Sequence, residues 1–279
     1  MQLRAFNGLD DVKAFFLGRV TAHARSGRLV KGLKMFWTGE QGDAIGCTVQ
    51  MEQNGHKSYE ELLGIPEELA YLEDTVFENL PDDQALSWPT DFLKAIVVGS
   101  DLSKVAPQMM LFLLTDPEAG VLRFSTTHAG VTAAINRVAD LYKTSLGIGI
   151  DHPVAVAQDV WQQAADFARS MADSQHGVKV SIRPERAAPS GAGKAWSAAA
   201  WSAWAEKAFL NNTPMGRMQA VAAAAWTAVR AAEMSVDGEG FPVDKPGADA
   251  ALAKSPAQYV RIAGKLIELI KVAPVPAKV

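Results

Sequence analysis

Hydrophobic positions recur at a helical period along most of this chain. At about 100° per residue, Leu69, Leu72, Val76 and Leu80 fall on one stripe of a helix over 66–80. Pro66-Glu-Glu68 suits its start, because proline needs no amide partner there and acids favour the positive end, and Leu80-Pro81 stops it. Asp10 and Asp11 open an earlier helix that runs to about Arg25, with Gly27 placed to end it. Ser58-Tyr-Glu-Glu61 reads as a capping box, the serine at the cap and Glu61 reaching back to its amide. Further helices are expected at about 89–97, 102–114, 128–146, 153–174, 195–210, 215–234 and 255–272, separated by proline, glycine or Asp-Pro punctuation.

Two stretches break this period. Leu33–Trp37 and Ala44–Met51 are β-prone runs around glycines, and a small β-hairpin is expected near 33–51, turning at Gly39 to Asp43. Val178–Ile182 is the other strand candidate. The fold class is therefore mainly α, a multi-helix globular bundle. The looser stretches 187–194 and 235–254 could each bound a domain. A single helical domain over 1–272 is preferred, because Tyr259, Ile262, Leu266, Leu269 and Ile270 give the last helix an apolar face that must be buried. Residues 273–279 read as a disordered tail.

Composition adds an ordinary globular balance, with 48% hydrophobic and 21% charged residues among 279. One cysteine, Cys47, excludes an intrachain disulfide and any multi-thiolate zinc site, and suits a reducing, cytoplasmic setting. The start Met1-Gln-Leu-Arg-Ala-Phe-Asn-Gly8 has no secretory-signal character, and the apolar run Ala106–Leu114 is too short for a membrane span of about 20 residues. No membrane association is expected.

Charge is unevenly placed. Residues 4–34 carry seven basic side chains against Asp10 and Asp11, whereas 52–91 carry eleven acidic ones against Lys57 alone. Arg25, Arg28, Lys31 and Lys34 could face phosphates. A simpler role is to complement the acidic stretch and the end of the first helix, so nucleic acid is disfavoured. A protein partner or self-association fits the acidic 52–91 region or the alanine-rich helices that carry Trp196, Trp201, Trp204 and Trp226, where packing of the indoles is the default.

Few motifs carry chemistry. Ser190-Gly-Ala-Gly-Lys194 resembles the end of a phosphate loop, but Ala188 and Ala195 replace its first glycine and its magnesium ligand. Helical zinc-protease spacing, a nucleophile elbow and a dinucleotide fingerprint are absent. The sequence indicates no cofactor. The helical wheels are more informative. Glu73 falls about 40° from Leu69, inside the apolar stripe, with Asp74 and Glu78 on the opposite side. In the first helix Arg19 and His23 fall on the same face as Val12, Phe15 and Phe16. An isolated buried carboxylate is costly, so an ion network of Arg19, His23 and Glu73 is expected, and Glu73→Gln should then destabilise. A sharper alternative adds Cys47 and His56 to Glu73 as candidate catalytic residues, for metal binding or a histidine-activated thiolate. His128 and His152 sit at expected helix starts, and His176 in a loop.

Gly46-Cys-Thr48, His56–Glu60 and above all Leu63-Gly-Ile-Pro-Glu-Glu-Leu-Ala-Tyr-Leu-Glu-Asp-Thr-Val-Phe-Glu-Asn-Leu-Pro81 resemble a family of uncharacterised bacterial and phage-associated proteins. Asp101–Ser103, Leu113–Asp116 and Tyr259–Pro274 continue the likeness. The resemblance implies one unit and no activity, cofactor or catalytic residue. It leaves a helical binding or interaction protein as the leading expectation, with an enzyme built on Cys47, His56 and Glu73 as the competing one.

Overall fold

The computed structural model describes residues 3–33, 36–53, 55–125, 129–176, 199, 202 and 256–277. The readings on Lys34, His128, Val178–Ile182, Ser190–Lys194, the linker 235–254 and the four tryptophans from Trp196 to Trp226 lie outside these residues. Among the described residues the fold is mainly α, with ten α-helices. These are α1 (Asp10–Arg25), α2 (Ala44–Val49), α3 (Gly55–Leu63), α4 (Glu67–Asn79), α5 (Asp82–Ala85), α6 (Trp88–Ala95), α7 (Val105–Thr115), α8 (Ala129–Leu146), α9 (Gln158–His176) and α10 (Pro256–Lys271). No described helix is long and apolar enough to cross a membrane.

The chain divides into two compact units, 1–106 with 259–279, and 107–258. In the first, α1 packs on α2 and α6, and α3 packs on α4. The six-residue α2 touches α1, α3, α4 and α6, and every one of its residues is buried. The apolar face expected of the last helix is buried, including Tyr259, Ile262, Leu266, Leu269 and Ile270. The segment after α10 is held at Pro274, whose carbonyl accepts from the Asp101 amide at 2.8 Å. Charge complementarity appears where Lys31 meets Asp82 at 3.0 Å and both Glu78 oxygens accept from the Gly32 amide. In the second unit α8 lays Val131, Ala134, Ile135, Val138 and Tyr142 into the core beside α9, with the Tyr142 and Trp161 rings 5.0 Å apart.

Three expectations are corrected. Among the described residues of 33–51 there is no hairpin: α2 occupies the second half, and isolated bridges join Leu29 and Trp37 to Gly42. The β-prone residues are overridden by a local cap, since the Asp43 side chain accepts from the Gly46 amide at 2.7 Å and starts the helix. Ser58 does not stand at a helix start, because α3 begins earlier, at Gly55, and Ser58 is buried within it. Phe15, placed inward by the wheel, is 57% exposed; the stripe of α1 turns on Phe16, Val20 and His23 instead.

The fold depends on close approach at Gly46. A Cβ there would lie 1.5 Å from the Phe36 carbonyl oxygen, a backbone atom that cannot rotate away. Gly46→Ala is expected to cost about 3 kcal/mol, as for severe overpacking. Gly18→Ala, in open space on the exposed side of α1, should instead stabilise by about 0.8 kcal/mol through helix propensity. Urea unfolding of both variants checks the pair; equal effects would show that Gly46 is not tightly enclosed.

Candidate functional site

The ionisable residues singled out by sequence gather around α2, but in roles different from those expected. A helix leaves its first amides and last carbonyls without internal partners, and a buried helix cannot rely on water for them. At the start of α2, Asp43 supplies the acceptor. At its end, the Cys47 carbonyl lies 2.9 Å from His23 Nδ1, and the Thr48 carbonyl accepts from Arg19 at 3.1 Å. A carbonyl only accepts, so the His23 proton sits on Nδ1. The ring is further fixed by stacking on Trp37 at 4.9 Å. The Arg19 guanidinium lies over the Phe15 ring, 4.4 Å from its centroid.

The expected ion network of Arg19, His23 and Glu73 is therefore not formed. Both side chains are committed to the carbonyls at the end of α2, and Glu73 has no ion-pair partner among the described residues. The wheel was right about direction: Glu73 is fully buried. Its backbone carbonyl accepts from the Trp88 indole at 3.0 Å, but neither side-chain oxygen has a hydrogen-bond partner among the described residues. The Tyr59 hydroxyl, also buried, lies close enough to act on this carboxyl, though without a well-formed hydrogen bond to it. Burial raises the Glu73 carboxyl well above the ordinary range. The Tyr59 hydroxyl works against this rise, and the negative charges of Asp74 and Asp43 add to it. The enclosure therefore favours the neutral acid.

The candidate catalytic residues occupy separate environments. Cys47 is fully buried, with Sγ 3.4 Å from the Gly42 carbonyl and 3.5 Å from that of Arg28. Burial first, then the Asp43 charge, pushes its thiol up to about 12, the opposite of an activated nucleophile. His56 lies inside α3 rather than in a solvated loop. Its Nε2 meets Asp74 Oδ2 at 3.1 Å, and its ring stacks on Tyr71 at 3.6 Å. Neither Cys47 nor Glu73 is a hydrogen-bond partner of His56. No group of three His, Cys, Asp or Glu side chains among the described residues is arranged to hold a metal ion. His152 is exposed ahead of α9, and His176 ends that helix.

Asp43 and Asp74 are the residues that sequence reasoning missed. Asp43 is buried, and desolvation first, then the charge of Asp74, raises its carboxyl to about 8. Asp74 was assigned to solvent, yet it is half-buried and its Oδ1 has no hydrogen-bond partner among the described residues. The available signal was Asp43 itself, an N-cap residue three positions before Gly46. Compared with known proteins, the chain matches no family model, no curated protein and no solved structure.

Asp43 and Glu73 bind protons more tightly when folded than when unfolded. Their contribution is fully present below the unfolded value near 4 and is lost as pH rises, through about 8 for Asp43. The unfolding free energy should fall across that window by about 1.4 kcal/mol per pH unit for each group still titrating. Because Glu73 is neutral and unpaired, Glu73→Gln should change stability at pH 7 by less than about 1 kcal/mol and flatten the slope. Urea titrations from pH 5 to 9 test both; a large loss in the Gln variant would restore the ion pair.

Proposed function

We propose that this protein is a helical binding protein whose partner is another protein, engaged through the loop that follows α8. The observation that supports this reading is the exposure of three branched apolar side chains within seven residues. Ile148, Ile150 and Val154 are 50%, 45% and 44% exposed. The loop is built to hold them. Gly147 and Gly149 take positive φ, the Ile148 amide donates to the Lys143 carbonyl, and the Val154 amide donates to the Thr144 carbonyl. A Cβ on Gly147 would lie 2.9 Å from the Pro153 ring, so the turn is tight as well as left-handed. Apolar side chains fixed in this way lose little conformational freedom on binding, which favours recognition.

The competing enzyme reading through Cys47, His56 and Glu73 receives no support from this arrangement, because the thiol is enclosed and its nearest groups are carbonyls. The single buried thiol suits the cytoplasm as the site of action. The likeness of Leu63–Pro81 to uncharacterised bacterial and phage-associated proteins carries no activity, so the proposal rests on the loop.

A photo-crosslinking amino acid placed at Ile150 in cells is expected to give one discrete adduct, and the same group at exposed Arg25 is expected to give none. An adduct of twice the chain mass identifies a second copy as the partner. Ile148→Asp should abolish the adduct and leave the unfolding midpoint within about 0.5 kcal/mol of wild type, as for exposed positions. No adduct from the loop, or a clear loss of stability in the variant, would overturn the reading.

A further inference from the structure

We propose that the junction of α2 with α3 and α4 is a proton-held latch: α2 stays docked while the carboxyl groups of Asp43 and Glu73 carry protons, and opens when they lose them. The geometry that carries this is a set of three carboxyl groups around one buried helix. Asp43 caps the start of α2, while Glu73 and its neighbour Asp74 come from α4, which packs on α2. Glu73 is fully buried with no well-formed hydrogen bond to either oxygen, and the Tyr59 hydroxyl of α3, enclosed beside it, only partly offsets the cost of its charge. Neither Asp43 nor Glu73 has an ion-pair partner among the described residues.

The charged and titratable groups on the surrounding elements do not relieve this. Arg19 and His23 of α1 are bound to the Thr48 and Cys47 carbonyls. From α3, His56 is bound to Asp74 Oδ2, and Lys57 pairs outward with Glu61. From α4, Glu67 and Glu68 are two further buried carboxyl groups in its first turn, Glu78 accepts from the Gly32 amide, and Tyr71 stacks on His56. On α5 and α6, Asp82, Asp83, Asp91 and Lys94 are exposed. Arg28 is exposed too, although its charge is felt at Cys47. Two negative charges created in this enclosure meet each other and Asp74 with no committed counter-ion, a costly arrangement in a low dielectric. Burial accordingly raises both carboxyls, Asp43 to about 8, within reach of mildly alkaline conditions.

The yielding element should be α2. It has six residues, too few to be stable outside its packing, and the loop leading into it is tied by isolated bridges at Gly42. Opening it hydrates Asp43 and uncovers Glu73 while α3 and α4 remain paired.

The chain contains its own reporter. Cys47, its only cysteine, lies within α2 and is fully buried, so a bulky aromatic disulfide reagent reaches the thiol only in the open form. Labelling of the full chain is measured from pH 6 to 9 and divided at each pH by the rate for the urea-unfolded chain, which cancels the change in thiolate fraction. The normalised rate is expected to rise up to tenfold per pH unit for each proton released on opening. Glu73→Gln and Asp43→Asn should each lower the slope, the asparagine keeping an oxygen to cap α2. A flat wild-type profile overturns the latch, as does a slope unchanged in Asp43→Asn, which stands as the test if the Glu73 variant fails to fold. A normalised rate that equals the globally unfolded fraction, followed by circular dichroism, also overturns it, because the event would then be unfolding of the whole unit.

Discussion

The first unit depends on satisfying the ends of one short helix that has no access to water. A six-residue helix has hardly any internal hydrogen bonds, so most of its amides and carbonyls must find partners elsewhere. Here those partners are ionisable side chains: Asp43 at the start, His23 and Arg19 at the end. Each is an ionisable group brought toward the interior because a hydrogen-bond requirement demands it. The packing of α1 on α2 follows, since α1 must deliver two side chains, one turn apart, to successive carbonyls.

The same constraint explains why the group does not form a catalytic constellation. A cation bonded to a backbone carbonyl is not available to a carboxylate, and Glu73 is left with burial and negative neighbours. A thiol directed at two carbonyls is stabilised as the thiol. His56 and Asp74 pair with each other at the edge of the same group, with Tyr71 stacked on the imidazole. The loop after α8 in the second unit rests on a different principle. Left-handed glycines and backbone bonds hold apolar side chains outward, where a packed helix would have turned them in.

Much of the helical architecture was legible locally. Asp10, Asp11 and Gly27 bracket α1, and Pro66 and Pro81 bracket α4, because caps and prolines act within one turn of where they stand. The inward direction of Glu73 was legible for a related reason, since a side chain four residues from Leu69 shares its face. Its partner was not. Helical wheels for α1 and α4 give directions about each axis, and nothing in them reveals that a third helix, α2, lies between and takes Arg19 and His23 for itself. Ser58 misled because a capping pattern is recognised by spacing, while α3 already starts at Gly55, where a Cβ would crowd Ile45 and Phe36.

The sequence alone determined a mainly α chain, the bounds of its stronger helices, the burial of the last helix's apolar face and the presence of a carboxyl group among core positions. Each of these follows from residue spacing and backbone chemistry acting over one or two turns. Only the tertiary structure decided that Ala44–Val49 is a helix rather than half of a hairpin, that Arg19 and His23 serve its carbonyls, and that Glu73 is buried without a cation beside it. Those outcomes depend on which distant groups arrive within about 3 Å of a buried polar atom. The local pattern around Glu73 is compatible with either an ion pair or a neutral acid, and long-range packing is what separates them.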